Sequence, residues 1–282
     1  MSIDPKTQMG IVSLTVSDLN RSLAYYQDVI GLRVLENNGR TAVLGVAGNK
    51  ELLHLHQLDA PQAATEPSTG LYHFALLLPT RRDLALVLRH LISLNMSRLG
   101  ASDHLVSEAL YLDDPDGHGI EIYVDRPRES WSFVNGTLQM ATNRLNTQDV
   151  LSEVTDVDEW DGMPEGTIMG HVHLRVADIA QAKAFYLDVV GFDGMVDYGG
   201  VASFASAGGY HHHLGMNVWD SKGAGAAPSN VPKLDYFTII VPDEAAQTAV
   251  VERLQQANIS VTQKDKQYFF RDPFDNQVAL AV

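Results

Sequence analysis

The chain contains no cysteine in its 282 residues. That absence excludes disulfides, thiolate metal sites and a cysteine nucleophile, and it leaves His, Asp and Glu as the candidate metal ligands. Basic residues are scarce as well: 20 Lys and Arg stand against 35 Asp and Glu, a formal net charge of −15. Such a chain repels phosphate backbones and anionic lipid surfaces, so neither nucleic acid nor membrane is expected as a partner. No apolar run approaches the roughly 20 residues of a membrane-spanning helix. The opening stretch "MSIDPKTQMG" lacks the basic and apolar regions of a secretory leader. These absences together point to a cytoplasmic protein.

What the chain does have is internal repetition. "GIVSLTVSDLNRSLAYYQDVIGL" (Gly10–Leu32) and "GHVHLRVADIAQAKAFYLDVVGF" (Gly170–Phe192) align without a gap at a constant spacing of 160 residues, sharing Gly10/Gly170, Leu14/Leu174, Asp18/Asp178, Tyr26/Tyr186 and Gly31/Gly191 among others. Each reads as a strand, an Asp N-cap, an amphipathic helix and a Gly stop. A weaker pair follows, "LYHFALLLPTRRDLALVLRHL" (Leu71–Leu91) with "LDYFTIIVPDEAAQTAVVERL" (Leu234–Leu254). Two Asp-Pro turns, in "YLDDPDGHGIEIYV" and "FFRDPFDNQVALAV", each lead into a final strand. Four strand–helix–strands units result. An N-terminal half (1–125) holds units near 10–58 and 70–125. A connection (126–168) includes the acidic "EVTDVDEWDGMPEG". A C-terminal half (169–282) holds units near 169–220 and 234–282.

Four βαβββ units, with "HVHLRVADIAQAKAFYLDVVGF" opening one and "DPDGHGIEIY" closing another, resemble the vicinal oxygen chelate superfamily across nearly the whole chain. The resemblance is strongest to its catechol 2,3-dioxygenase-like (type I extradiol dioxygenase) branch; glyoxalase I and bleomycin-resistance proteins share the fold. It implies an α+β fold in which pairs of units curl their sheets around clefts. It also implies metal ligands on the first and last strands of a unit.

Strand alternation tests those positions. In "HVHLRV", Val172, Leu174 and Val176 share one face, and His171, His173 and Arg175 the other. In "HFALLL", His73 and Ala75 oppose Phe74 and Leu76; in "IEIYV", Glu121 and Tyr123 oppose Ile120 and Ile122. The family positions are therefore filled by His73 and Glu121 in unit two and by His171 in unit three. Units one and four offer Ile11, Tyr236 and Ala279 there, a degenerate set. Pairing unit one with two and three with four scatters the ligands. Pairing two with three, and one with four, brings His73, Glu121 and His171 together as the two-histidine, one-carboxylate triad of non-haem Fe(II) oxygenases. His54 and His56, in "LLHLHQL", are competing ligands.

The resemblance further implies a His and a Tyr before the ligand Glu, supplied here by His104 and Tyr111, and a His from the partner unit. The triplet His211-His212-His213 lies at that last position. The family pattern selects His212, whereas strand parity with Leu214, Met216 and Val218 favours His213; a bulge at Gly208-Gly209 would reconcile them. The expected activity is O₂-dependent cleavage of a small aromatic diol, with Fe(II) or Mn(II) as the metal. Another glyoxalase-like metalloenzyme (an isomerase or thiol-conjugating enzyme) and a metal-free small-molecule binder are the alternatives. A homo-oligomer is compatible with the resemblance.

Overall fold

A computed structural model describes every residue except Met1 and Ser97. The four units are regular. Unit one runs β1 (Gln8–Val16), α1 (Leu19–Asp28), β2 (Arg33–Asn37), β3 (Thr41–Val46) and β4 (Lys50–Gln57). Unit two runs β5 (Gly70–Leu77), α2 (Arg81–Ser93), β6 (Gly100–Asp103), β7 (Ser107–Asp113) and β8 (Gly119–Asp125). The connection carries short pieces only, namely β9 (Phe133–Val134), β10 (Thr137–Leu138), β11 (Asn143–Arg144) and α3 (Thr147–Leu151). Unit three runs β12 (Ile168–Arg175), α4 (Ile179–Lys183), β13 (Asp193–Asp197), β14 (Ala202–Ser206) and β15 (Leu214–Asn217). Unit four runs β16 (Leu234–Ile240), α5 (Glu244–Gln256), β17 (Thr262–Lys264), β18 (Gln267–Arg271) and β19 (Gln277–Ala281).

The unit helices start where the sequence supplies a side-chain oxygen for an orphan amide. Asp18, Thr80, Asp178 and Asp243 accept from the amides of Arg21, Asp83, Gln181 and Ala246. The repeat's glycine stops are used as expected: Gly31 and Gly191 take φ of 82° and 100°, a region open to glycine at no steric cost. One difference from the repeat pattern is the second half of the unit-three helix. Ala184–Val190 is wound as a π-helix, which turns Phe185, Tyr186 and Val190 all into the core.

Two sheets form. The eight-stranded sheet has the order β17-β18-β19-β16-β1-β4-β3-β2, and the nine-stranded sheet β11-β6-β7-β8-β5-β12-β15-β14-β13. Each unit places its last strand parallel to its first. Units then join through their first strands, antiparallel: β1 with β16, and β5 with β12. Unit one thus shares a sheet with unit four, and unit two with unit three.

The alternation read from the sequence sets which face is buried. Phe74, Leu76, Ile120, Ile122, Val172 and Leu174 all fall in one continuous apolar core, together with residues of units one and four. At about 25 cal/mol per Å² of apolar surface, that burial supplies the main drive to fold. The opposite face of the nine-stranded sheet is left to curl around a cavity.

Candidate metal centre and its cavity

Register builds the site. Across four strands, His171 (β12) pairs with Ala75 (β5), Ala75 with Glu121 (β8), and Glu121 with Tyr111 (β7). Directly paired residues point to the same face, so this row sets four side chains on the face that curls around the cavity. His73, two residues before Ala75, joins from the neighbouring row, where it pairs with His173.

The result is a tight buried cluster. Glu121 Oε2 lies 3.0 Å from His73 Nε2 and 3.0 Å from His171 Nε2, and the two Nε2 atoms are 3.3 Å apart. All three residues are buried, at 6, 3 and 1 % exposure in chain order. Among the described residues, this is the set of three His or acidic side chains that converges in the manner of a metal site. The spacing fits an ion: with bonds of about 2.1 Å, adjacent octahedral ligands stand about 3 Å apart. The charge states fit as well. Burial alone would raise the Glu121 carboxyl, but His171 and His73 outweigh it and hold it well below the usual range. Burial pushes His171 down to about 4, against the pull of Glu121. An ionised carboxylate and a neutral imidazole are the metal-binding forms.

The competing histidines lie in the other sheet. His54 on β4 hydrogen-bonds Glu51 (2.9 Å) and Tyr236 Oη (3.2 Å), and His56 approaches Asp235 only to 3.9 Å.

Tyr111 and His104 form a pair. The Ala141 carbonyl can only accept, so His104 donates to it through Nδ1 (2.6 Å), and His104 Nε2 accepts from Tyr111 Oη (2.6 Å). Burial, with the Glu121 charge beside it, pushes the Tyr111 phenol well above its ordinary value, so it stays a hydrogen-bond donor. His104, Tyr111, His73 and Glu121 line one cavity of about 760 Å³.

The histidine triplet corrects the parity reading. The residues do not lie in a strand, because β15 begins only at Leu214. Gly208 and Gly209, at φ of 60° and 66°, turn the chain just before them. Alternation therefore does not extend back through the triplet. His212 lines the cavity, its ring 4.1 Å from that of His171. His213 is held elsewhere. Its Nδ1 accepts the Ala207 amide at 3.1 Å, and its ring packs on Tyr210. His211 Nε2 donates to Asp125 at 2.9 Å.

Other cavity groups carried no assigned role in the sequence reading. His173 and Arg175 share the face of His171, as alternation requires. Gly215, paired with His173, has no Cβ; one built there would fall 2.7 Å from the His173 ring. Tyr72 and Trp219 pack against His173, and the Arg175 guanidinium sits over the Tyr72 ring at 5.5 Å. Arg98 also reaches the cavity, so two cationic side chains, Arg98 and Arg175, line it.

The family profile "Glyoxalase/Bleomycin resistance protein/Dioxygenase superfamily" matches residues 8–122 and 168–280. The chain belongs to this superfamily. It is 42 % identical over 275 residues to the catechol-2,3-dioxygenase of Bacillus subtilis (strain 168), covering 96 % of each chain. A crystal structure of a putative dioxygenase from Bacillus subtilis superposes with a TM-score of 0.66 at 14 % identity, covering 100 % of this chain and 86 % of that one. Glyoxalase I from Zea mays superposes at 0.55 with 16 % identity, covering 98 % and 92 %. These structural likenesses extend the fold assignment. The sequence match along the full chain marks a dioxygenase-like enzyme of the superfamily. Each profile match spans two units of one half, whereas each sheet joins units from both halves.

Proposed function

We propose that the chain is a metal-dependent extradiol dioxygenase that opens a catechol-like ring with O₂. The observation that carries this reading is the buried His73–His171–Glu121 cluster, sharing one cavity with the Tyr111–His104 pair and His212. His73, His171 and Glu121 would hold Fe(II), or Mn(II), which would supply open positions and redox chemistry for the diol and dioxygen.

The chain's own residues do the rest. Tyr111, kept protonated, gives its one hydrogen to His104 Nε2, which fixes the hydroxyl so that its oxygen accepts from a substrate hydroxyl. His212 stands on the His171 side, opposite Tyr111, and accepts a proton from the diol. Tyr72, Phe204 and Trp219 give the ring apolar walls and displace water. A charge of −15 disfavours polyanionic partners and fits action on a small molecule. An isomerase site of the glyoxalase type would draw on more than one carboxylate, and among the described residues Glu121 alone joins the two histidines.

The test is iron content after anaerobic purification, together with formation of the yellow ring-opened product from catechol in air. Iron near one per chain with turnover supports the reading. Protein that stays inactive after Fe(II) loading overturns it.

A further inference from the structure

One histidine of the triplet, His211, is not among the residues that line the cavity. His211 is fully buried, and its ring is wedged against Tyr210, Tyr123 and Trp131 at 4.0, 6.0 and 5.5 Å. It bridges two groups. Its Nε2 is 2.9 Å from Asp125 Oδ1, and its Nδ1 is 2.7 Å from His212 Nδ1. Asp125 is the last residue of β8, four residues beyond Glu121 and on the same face. It also accepts from Tyr210 Oη at 3.1 Å, and Tyr210 accepts in turn from Tyr123 Oη at 2.8 Å.

The donors in this chain can be assigned from one end. A carboxylate only accepts, so His211 carries a proton on Nε2. With that proton given to Asp125, the Nδ1 of a neutral His211 is a bare lone pair. The His212 Nδ1, 2.7 Å away, then carries the hydrogen of the shared bond. A neutral His212 protonated at Nδ1 has its lone pair on Nε2, the nitrogen left for the cavity. Which ring nitrogen is protonated is set by the bond the other nitrogen makes.

We propose that Asp125 and His211 are positioning residues which fix the ring and the tautomer of His212, making His212 Nε2 a proton acceptor toward the substrate. The assignment deepens the dioxygenase reading of His212 and rests on it for its catalytic consequence. Packing supports the geometric part independently. The His212 ring is clamped between His171 at 4.1 Å and Phe204 at 4.9 Å, so the hydrogen bond from His212 to His211 sets which edge faces out.

The test has two readouts. The first is the ¹⁵N spectrum of histidine side chains in the Zn(II)-loaded, ¹⁵N-labelled protein, which reports the protonated nitrogen of each ring. The expected result is Nδ1–H on His212 and Nε2–H on His211. The second is steady-state kinetics with catechol on the Fe(II)-loaded protein. Asp125→Asn and His211→Gln are expected to lower kcat at least tenfold while KM changes less than twofold, and Asp125→Glu to recover part of the loss. Nε2–H on His212 in the unsubstituted protein overturns the proposal. So does retention of kcat within twofold in both Asp125→Asn and His211→Gln. Should no catechol be turned over at all, the dioxygenase reading fails, and the spectrum still decides the tautomer.

Discussion

His171 and Tyr111 stand at opposite ends of one row that crosses four strands of the nine-stranded sheet. Between them in the row are Ala75 and Glu121. Ala75 is fully buried and contributes only a methyl group to the face where His73, His171 and Glu121 meet. Ala75→Leu puts three more carbons into that space. Overpacking of this kind costs about 1–3 kcal/mol. The expected outcome is a folded chain with lowered stability that no longer retains a divalent metal. Metal analysis after desalting, beside a urea unfolding curve, checks both parts.

Each ligand is also expected to be indispensable. His171→Ala and Glu121→Gln should reduce bound metal from near one per chain to near zero, whereas His54→Ala, in the other sheet, should leave it unchanged. Metal that binds only the folded chain adds about 2.7 kcal/mol when present at a hundredfold excess over its Kd. Added Fe(II) or Mn(II) should therefore raise the Tm of the unsubstituted chain and of His54→Ala, but not of His171→Ala. Retention of the metal by His171→Ala would place the centre elsewhere.

Acid should weaken the metal-free protein earlier than usual. Burial lowers His171 to about 4 and His213 to about 3, and it holds His173 and His212 well below their ordinary value. Unfolded histidines take up protons near pH 6.5. Below that point the unfolded chain binds more protons than the native one, so stability falls as pH falls. The depressed Glu121 carboxyl acts in the same direction at lower pH. His171 alone contributes on the order of 3 kcal/mol across its window. Urea midpoints of the metal-free chain should fall steadily from about pH 7 to about pH 5; a flat profile contradicts the assignment.

Much of this site could be read from residue order because it lies in strands. The face of His171, His173 and Arg175 follows from alternation in "HVHLRV", and Glu121 stands opposite Ile120 and Ile122 by the same rule. His212 shows where alternation stops helping. Its direction comes from two left-handed glycines and from a bond to His211, neither of which has a period. Asp125 was within reach, since Glu121, Tyr123 and Asp125 alternate onto one face. Its partner, however, lies 86 residues away in a turn. The π-helical winding of Ala184–Val190 was equally hidden, because unit one wears nearly the same sequence pattern on an ordinary α-helix.

Tyr111→Phe separates positioning from metal binding. Loss of the hydroxyl leaves His104 Nε2 without its 2.6 Å donor and removes a fixed acceptor oxygen from the cavity. Removing one such preorganised hydrogen-bonding group costs roughly a hundredfold in kcat. Bound metal should be unchanged, because Tyr111 is not among the three converging side chains. A loss of metal equal to the loss of rate would instead make Tyr111 a structural support of the centre.

The repeated helices carry a last prediction about stability. Tyr186 Oη donates to Asp272 Oδ2 at 2.8 Å, and its repeat counterpart Tyr26 donates to Asp114 Oδ2 at 3.0 Å. Each bond ties the helix of one unit to the Asp-Pro turn of the next. Both aspartates already accept backbone amides inside their own turns, Phe274 and Asn276 in one case, Asp116 and His118 in the other. Tyr186→Phe keeps the ring in the core and leaves a buried carboxylate short of a donor, a loss of about 1–3 kcal/mol. Asp272→Asn removes the same bond from the other side. The two changes should therefore not add, and a double-mutant cycle in urea should show a coupling of about 0.5–3 kcal/mol. Additive losses would mean that the ring and the turn are held separately, and that the shared hydroxyl–carboxylate bond contributes nothing to joining unit three to unit four.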